Sequence, residues 1–191
     1  MARQHDSCTG VLCLVVGPSG AGKDTLLDGA RGRIGPAYHF PTRLITRPAD
    51  AGGEVHEAAT PEQFAALERS GALALAWRAH GLSYGLRGSA LDRLFTGRHV
   101  VVNVSRGIID AARSRYPRVH VFSITVPADQ LRTRLLARGR EDANAIEARI
   151  ARANQYRIAG DGVTEIINDQ DREAGISRFV AALEAVAGRD C

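Results

Sequence analysis

Seven consecutive residues, Gly17-Pro18-Ser19-Gly20-Ala21-Gly22-Lys23, carry the spacing G-x-x-x-x-G-K. They follow an apolar run at 11–16 and open a helical pattern at Asp24, the strand–loop–helix setting in which that spacing has chemical meaning. Glycines let the backbone bend until successive N–H groups face one point, and the N-terminus of the following helix adds partial positive charge there. Such a loop cradles phosphate. Lys23 would reach the outer phosphates of a nucleotide and offset charge that shifts during transfer. An ordinary glycine-rich turn accounts for the glycines, but not for strand, spacing and lysine together. The chain holds 25 lysine and arginine residues, and Lys23 is the one lysine among them.

The position after the lysine, where Ser or Thr usually serves magnesium, is Asp24, with Thr25 next. A carboxylate binds magnesium directly or through water; it also stabilises a helix N-terminus. Both readings of Asp24 stand at this point, with Asp24 and Thr25 the candidate ligands of Mg²⁺. Farther along, Arg134 and Arg138 share a helix face, Arg140 follows in a polar stretch, and Arg149 and Arg152 lie three apart on the next helical pattern. Arginine forks grip phosphate oxygens in pairs and their planes stack on bases. Arg138 and Arg140 are expected to touch phosphate from a lid that excludes water, and Arg152 to lie on a solvated face where arginines pair with Glu141, Asp142 and Glu147.

These side chains need a frame. Short β-branched runs at 11–16, 100–104, 119–126 and 164–167 alternate with helical patterns at 24–33, 108–115, 128–138, 145–158 and 173–187. Strands separated by helices predict right-handed crossovers and a mostly parallel sheet covered on both faces, an α/β domain. The stretch from about 36 to 97 breaks the rhythm and reads as an insertion between core segments 1–35 and 98–191. It holds a capping box at Thr60-Pro61-Glu62-Gln63, a strand at 72–77 and a turn at 81–85. A polar lid is expected over about 138–145. Asn103 and Ser105 end a buried strand, where ligands bind in open α/β sheets, although Ser105 suits a helix cap equally well. Glu54 and His56 share a face if extended, and His80 reads as a structural or surface histidine.

Composition excludes several classes. With 191 residues, 45% hydrophobic and 24% charged, the chain fits one ordinary globular domain with a sizeable core. No apolar run spans a bilayer and no signal peptide is evident, so a cytoplasmic location without membrane contact is expected. The net charge of +4 has no block of like charges, which points to anionic small molecules rather than nucleic acid. Cys8, Cys13 and Cys191 form no C-x-x-C pair and argue against a disulfide framework or zinc site.

The chain resembles the guanylate-kinase-like P-loop kinases over nearly its whole length. Residues 17–23, Thr46-Arg47-Pro48, Tyr84-Gly85, Arg134-Leu135-Leu136-Ala137-Arg138-Gly139 and Asn168-Asp169 fall in that family's order. The resemblance implies about five parallel strands, an inserted acceptor-binding subdomain and a lid, with ATP on the P-loop and its adenine near Arg138 and Asn168. Within it, Gly22-Lys23-Asp24-Thr25, Arg43-Leu44-Ile45-Thr46-Arg47-Pro48, Glu54-Val55-His56, the run 77–85 and Asn103-Val104-Ser105-Arg106 are more similar to ribose 1,5-bisphosphate phosphokinases of phosphonate degradation.

That closer resemblance implies ATP-dependent phosphorylation of ribose 1,5-bisphosphate to 5-phosphoribosyl 1-diphosphate, with Mg²⁺, and with ATP and a phosphorylated sugar as partners. Arg43, Arg47, Glu54, His56, Tyr84, Asn103 and Arg149 are then the expected acceptor residues. The guanine-reading positions of guanylate kinases fall at Leu75 and Leu86, and a second arginine of theirs at Asp50. Leucine cannot pair with the N–H edge of a base. A nucleoside monophosphate kinase and a non-catalytic guanylate-kinase-like interaction module are the alternatives.

Overall fold

All five residues of β1 (Leu12–Val16) are buried, because the strand lies at the centre of a parallel sheet with both faces covered. The computed structural model describes residues 9–49, 54–139, 142–155 and 158–188. β1 is flanked by β7 (His99–Asn103) and β8 (Val119–Thr125); β2 (Tyr38–His39) and β9 (Val163–Ile167) complete the sheet outside them. All four pairings are parallel, and the order β2-β7-β1-β8-β9 reverses direction at β1.

Alternation along β1 explains the two cores. Cys13 and Val15 face α1 (Lys23–Arg31) and α7 (Arg172–Ala187), packing with Leu26, Ala30, Ile176, Phe179 and Leu183. Leu12, Leu14 and Val16 face the other way, toward α4 (Ile109–Arg115) and the second sheet. That sheet has the order β4-β3-β6-β5, built from β3 (Leu44–Ile45), β4 (Glu57–Ala58), β5 (Leu73–Ala79) and β6 (Leu82–Arg87). It falls inside the expected insertion, whereas β2, which also lies within 36–97, joins the parallel sheet.

Local chemistry sets the other elements. α2 (Pro61–Arg69) starts as expected: the Thr60 hydroxyl accepts from the Gln63 N–H at 3.2 Å, and the Gln63 side chain accepts from the Thr60 N–H at 2.9 Å. The expected turn at 81–85 is shorter. Only His80 and Gly81 turn, both with positive φ (52° and 75°), and Leu82 already begins β6. After β6 come α3 (Gly88–Leu91) and a short 3₁₀ turn. α5 (Ala128–Arg138) and α6 (Ala143–Gln155) pack through Leu131, Leu135, Ile146 and Ile150, and Arg132 forks onto Glu147 at 2.7 and 2.8 Å. α6 begins two residues before the expected 145–158; at its other end 156 and 157 lie outside the described residues, and Ile158 is not helical. Arg140, Glu141, Asp50, Cys8 and Cys191 lie outside the described residues. Among those described, no helix is long and apolar enough to cross a membrane.

Candidate active site

β1 stops at Val16, and the chain then crosses to α1 in a loop that needs left-handed backbone at Gly20 and Gly22 (φ 92° and 88°). Gly22 is the N-cap of α1, and a Cβ there would lie 2.6 Å from Asn168 Nδ2, so conformation and space both demand glycine. The Lys23 ammonium donates to the carbonyls of Gly17 at 2.8 Å and Pro18 at 2.9 Å, which folds it over the loop.

The loop is braced from outside the cleft. Asn168 is 7% exposed; its Nδ2 donates to the Ala21 carbonyl at 2.7 Å and its own N–H to Thr125 O at 2.8 Å. Its carbonyl accepts from Arg134 at 2.9 Å. Asn168 therefore pins the phosphate loop to the end of β8, and Arg134 ties α5 to the same point. Asn168 does not line the cleft.

An open cleft of about 380 Å³ runs from this loop to the second sheet. Of the residues singled out in the sequence, Gly17, Pro18, Ser19, Gly20, Gly22, Lys23, Asp24, Thr25, Arg43, Tyr84, Asn103 and Arg149 line it. Ala21 is buried behind the loop. Asn103, at the end of β7, bridges the two halves: its Nδ2 donates to Asp24 Oδ1 at 2.9 Å and its carbonyl accepts from Arg43 at 2.9 Å.

Arg43, 8% exposed, is more committed than its sequence position reveals. Its Nε donates to Glu54 Oε2 at 3.1 Å, a second nitrogen pairs with Glu54 Oε1, and its plane lies 5.3 Å over Tyr84. Tyr84 in turn stacks on its cross-strand partner Trp77 at 5.5 Å and 9°. Glu54 thus holds Arg43 from outside the cleft lining. Arg47 and His56 form a separate clasp: His56 Nε2 donates to Arg47 O at 3.1 Å, and Nδ1 lies 3.0 Å from Glu54 O and 3.3 Å from the Arg47 guanidinium. Neither lines the cleft.

Leu75 and Leu86 are direct cross-strand partners, both 0% exposed, in the core between the two sheets. Those positions therefore present hydrocarbon only. The sequence reading missed His80 and Arg106 as lining residues. Ser105, whose two readings were open, makes no side-chain cap bond and lines the cleft. Arg138 ends α5. Among the described residues there is no cluster of three or more metal-ligating side chains. Burial pushes the Cys13 thiol up to about 12, so it stays protonated and inert.

Comparison with known proteins gives consistent relatives. A bifunctional ribose 1,5-bisphosphokinase-thymidine phosphorylase of Azorhizobium caulinodans is 47% identical over 183 residues, covering 95% of this chain and 26% of that protein. A ribose 1,5-bisphosphate phosphokinase of Pseudomonas fluorescens is 45% identical over 84% of this chain and 86% of its own length. One from Pseudomonas paraeruginosa is 42% identical over 95% of this chain and 97% of its own. The chain spans about a quarter of the length of the bifunctional relative and nearly all of the latter two. No family model matches. In fold, the chain is similar to a guanylate kinase from Anaplasma phagocytophilum, with TM-score 0.63 at 20% identity over 94% of this chain and 87% of that one. A gluconokinase from Sinorhizobium meliloti gives TM-score 0.55 at 17% identity over 96% and 97%.

Proposed function

The chain belongs to the ribose 1,5-bisphosphate phosphokinase family, and from that premise we propose that it transfers the γ-phosphoryl group of ATP to ribose 1,5-bisphosphate. The products are ADP and 5-phosphoribosyl 1-diphosphate. The observation that carries the choice of acceptor is the buried Leu75–Leu86 pair beside a wall that holds Arg43, Tyr84, Asn103 and Arg149. Such a wall suits phosphate and sugar, and a base edge finds no polar reader at the two leucines.

An oxygen of the acceptor phosphate attacks the γ-phosphorus in line; the new O–P bond forms as the bond to the β-phosphate oxygen breaks and ADP leaves. A phosphate monoester, with a second pKa of about 6, is already ionised near neutral pH, so no general base is required. The loop N–H groups hold the phosphates, and Lys23 offsets the charge spread over the transferring group. In this reading Arg138 and Arg140 contact phosphate from the lid, and Arg149, which lines the cleft, contacts the acceptor. Arg47 and His56 support the acceptor wall through their clasp behind Glu54.

Asp24 and Thr25 at the start of α1 are the residues that would hold magnesium. One Asp24 oxygen accepts from Asn103, and a single carboxylate with a hydroxyl suits an ion that keeps waters and shares substrate phosphates. Magnesium, when bound, neutralises charge on the β- and γ-phosphates. Asp24→Asn is expected to raise the magnesium concentration for half-maximal activity about tenfold, equivalent to about 1.4 kcal/mol. If Asp24 serves only the helix N-terminus, a magnesium titration will not shift and stability alone will fall, by about 0.3–1 kcal/mol.

An acceptor screen with ATP and magnesium tests the function. Ribose 1,5-bisphosphate is expected to exceed GMP at least about tenfold in kcat/KM, since an unpaired base edge costs about 1–3 kcal/mol. GMP as the preferred acceptor would restore the guanylate kinase reading. Absence of ATP binding would favour an interaction module.

A further inference from the structure

We propose that His80 is a specificity-determining residue that holds the bisphosphorylated acceptor by hydrogen bonding to a phosphate, an assignment that rests on the acceptor proposed above. Three observations converge on it. The β5–β6 hairpin closes at the Ala79–Leu82 pair, so the loop is two residues long, and His80 has φ 52°. It is the one non-glycine residue with positive φ among those described. Two-residue loops of this kind select Asn, Asp or Gly first, because their backbones tolerate the left-handed region at least cost. Histidine is tolerated in that region but is not the residue such a turn selects first, so the turn alone does not call for an imidazole at the cleft.

The second observation is position. His80 lines the cleft on the same wall as Arg43 and Tyr84, and its imidazole has no hydrogen-bond partner among the described residues. The third is the state of Arg43. Its Nε and one terminal nitrogen are engaged by Glu54, and the other donates to Asn103 O. The Nε–H is thereby used, and each terminal nitrogen keeps one N–H for a ligand. A bisphosphorylated acceptor presents two phosphates, and His80 lines the same cleft as a further donor. A planar ring with two nitrogens also suits a small phosphosugar lying beside the Tyr84 face.

The test uses His80→Gly and His80→Asn, both suited to the left-handed turn. A residue kept only for the hairpin predicts an unchanged or higher Tm and unchanged kinetics. The proposal predicts an unchanged or higher Tm together with a KM for ribose 1,5-bisphosphate raised about tenfold or more, while the KM for ATP stays as in the wild type and the change in kcat is smaller than that in KM. Binding is followed separately through Trp77, the chain's one tryptophan, which stacks on Tyr84. Wild-type acceptor KM in both variants overturns the His80 assignment and leaves the function standing. A wild-type protein that binds ribose 1,5-bisphosphate without phosphorylating it overturns the function, and His80 is then decided by the same fluorescence titration of the two variants. A wild-type protein that neither binds nor phosphorylates it removes both.

Discussion

Lys23→Ala is expected to lower turnover by about 10²–10³-fold, the range for removing one preorganised group that stabilises developing charge. The fold should survive. α1 is anchored by Leu26, Leu27 and Ala30 against the sheet and α7, and none of that packing uses the lysine side chain. What is lost is a cation held over the loop by the carbonyls of Gly17 and Pro18. Lys23→Arg should recover little, because a planar fork cannot replace a compact ammonium at two carbonyls. The check is steady-state turnover beside a thermal melt. A folded alanine variant with wild-type turnover would remove Lys23 from the chemistry.

The parallel sheet is legible in the sequence wherever a strand is long and fully covered. β1, β7 and β8 read as apolar runs because side chains on both faces are buried or half-buried, whereas the edge strand β9 exposes Glu165 and Ile167 and is marked by its β-branched residues. β2, β3 and β4 have two residues each, too few for any period to show, and they exist because tertiary neighbours supply the ladder. β6 hides for another reason. Gly81 and Gly85 read as turn residues, but only Gly81 turns, while Gly85 sits in the strand under Leu73 and Phe64.

The phosphate half of the site is legible because it is contiguous: strand, loop and helix occur in one run of sequence. The acceptor half is not, because its geometry comes from pairs distant in sequence. Arg43 and Glu54 are eleven residues apart, and nothing in their spacing says that they pair. Asn168 is 147 residues from Ala21, whose carbonyl it holds, so its bracing role emerges only with the fold. His80 was masked by the ordinary reading of a lone histidine; only its φ and its place on the cleft wall single it out.

Arg43→Ala is the substitution expected to damage the acceptor half most, and it separates two roles for the same side chain. As a phosphate ligand alone, Arg43 would contribute affinity and little stability. As the bracket seen here, it neutralises Glu54, satisfies Asn103 O and covers the Tyr84 ring. Removing one partner of a fully buried ion pair costs about 3–5 kcal/mol. Because the Glu54 side chain keeps 24% exposure and can draw on water, the loss here should be smaller, about 2–3 kcal/mol. Loss of the bracket also frees Tyr84 and Asn103, so kcat/KM for the acceptor should fall about 10²-fold, equivalent to about 2.7 kcal/mol. The KM for ATP should move far less. Arg43→Lys keeps the charge but not the fork, and should restore stability only in part. Thermal melts and acceptor kinetics on both variants decide the matter. Full stability in Arg43→Ala with a raised acceptor KM would make Arg43 a ligand without a bracing role, and unchanged values of both would remove it from the acceptor site.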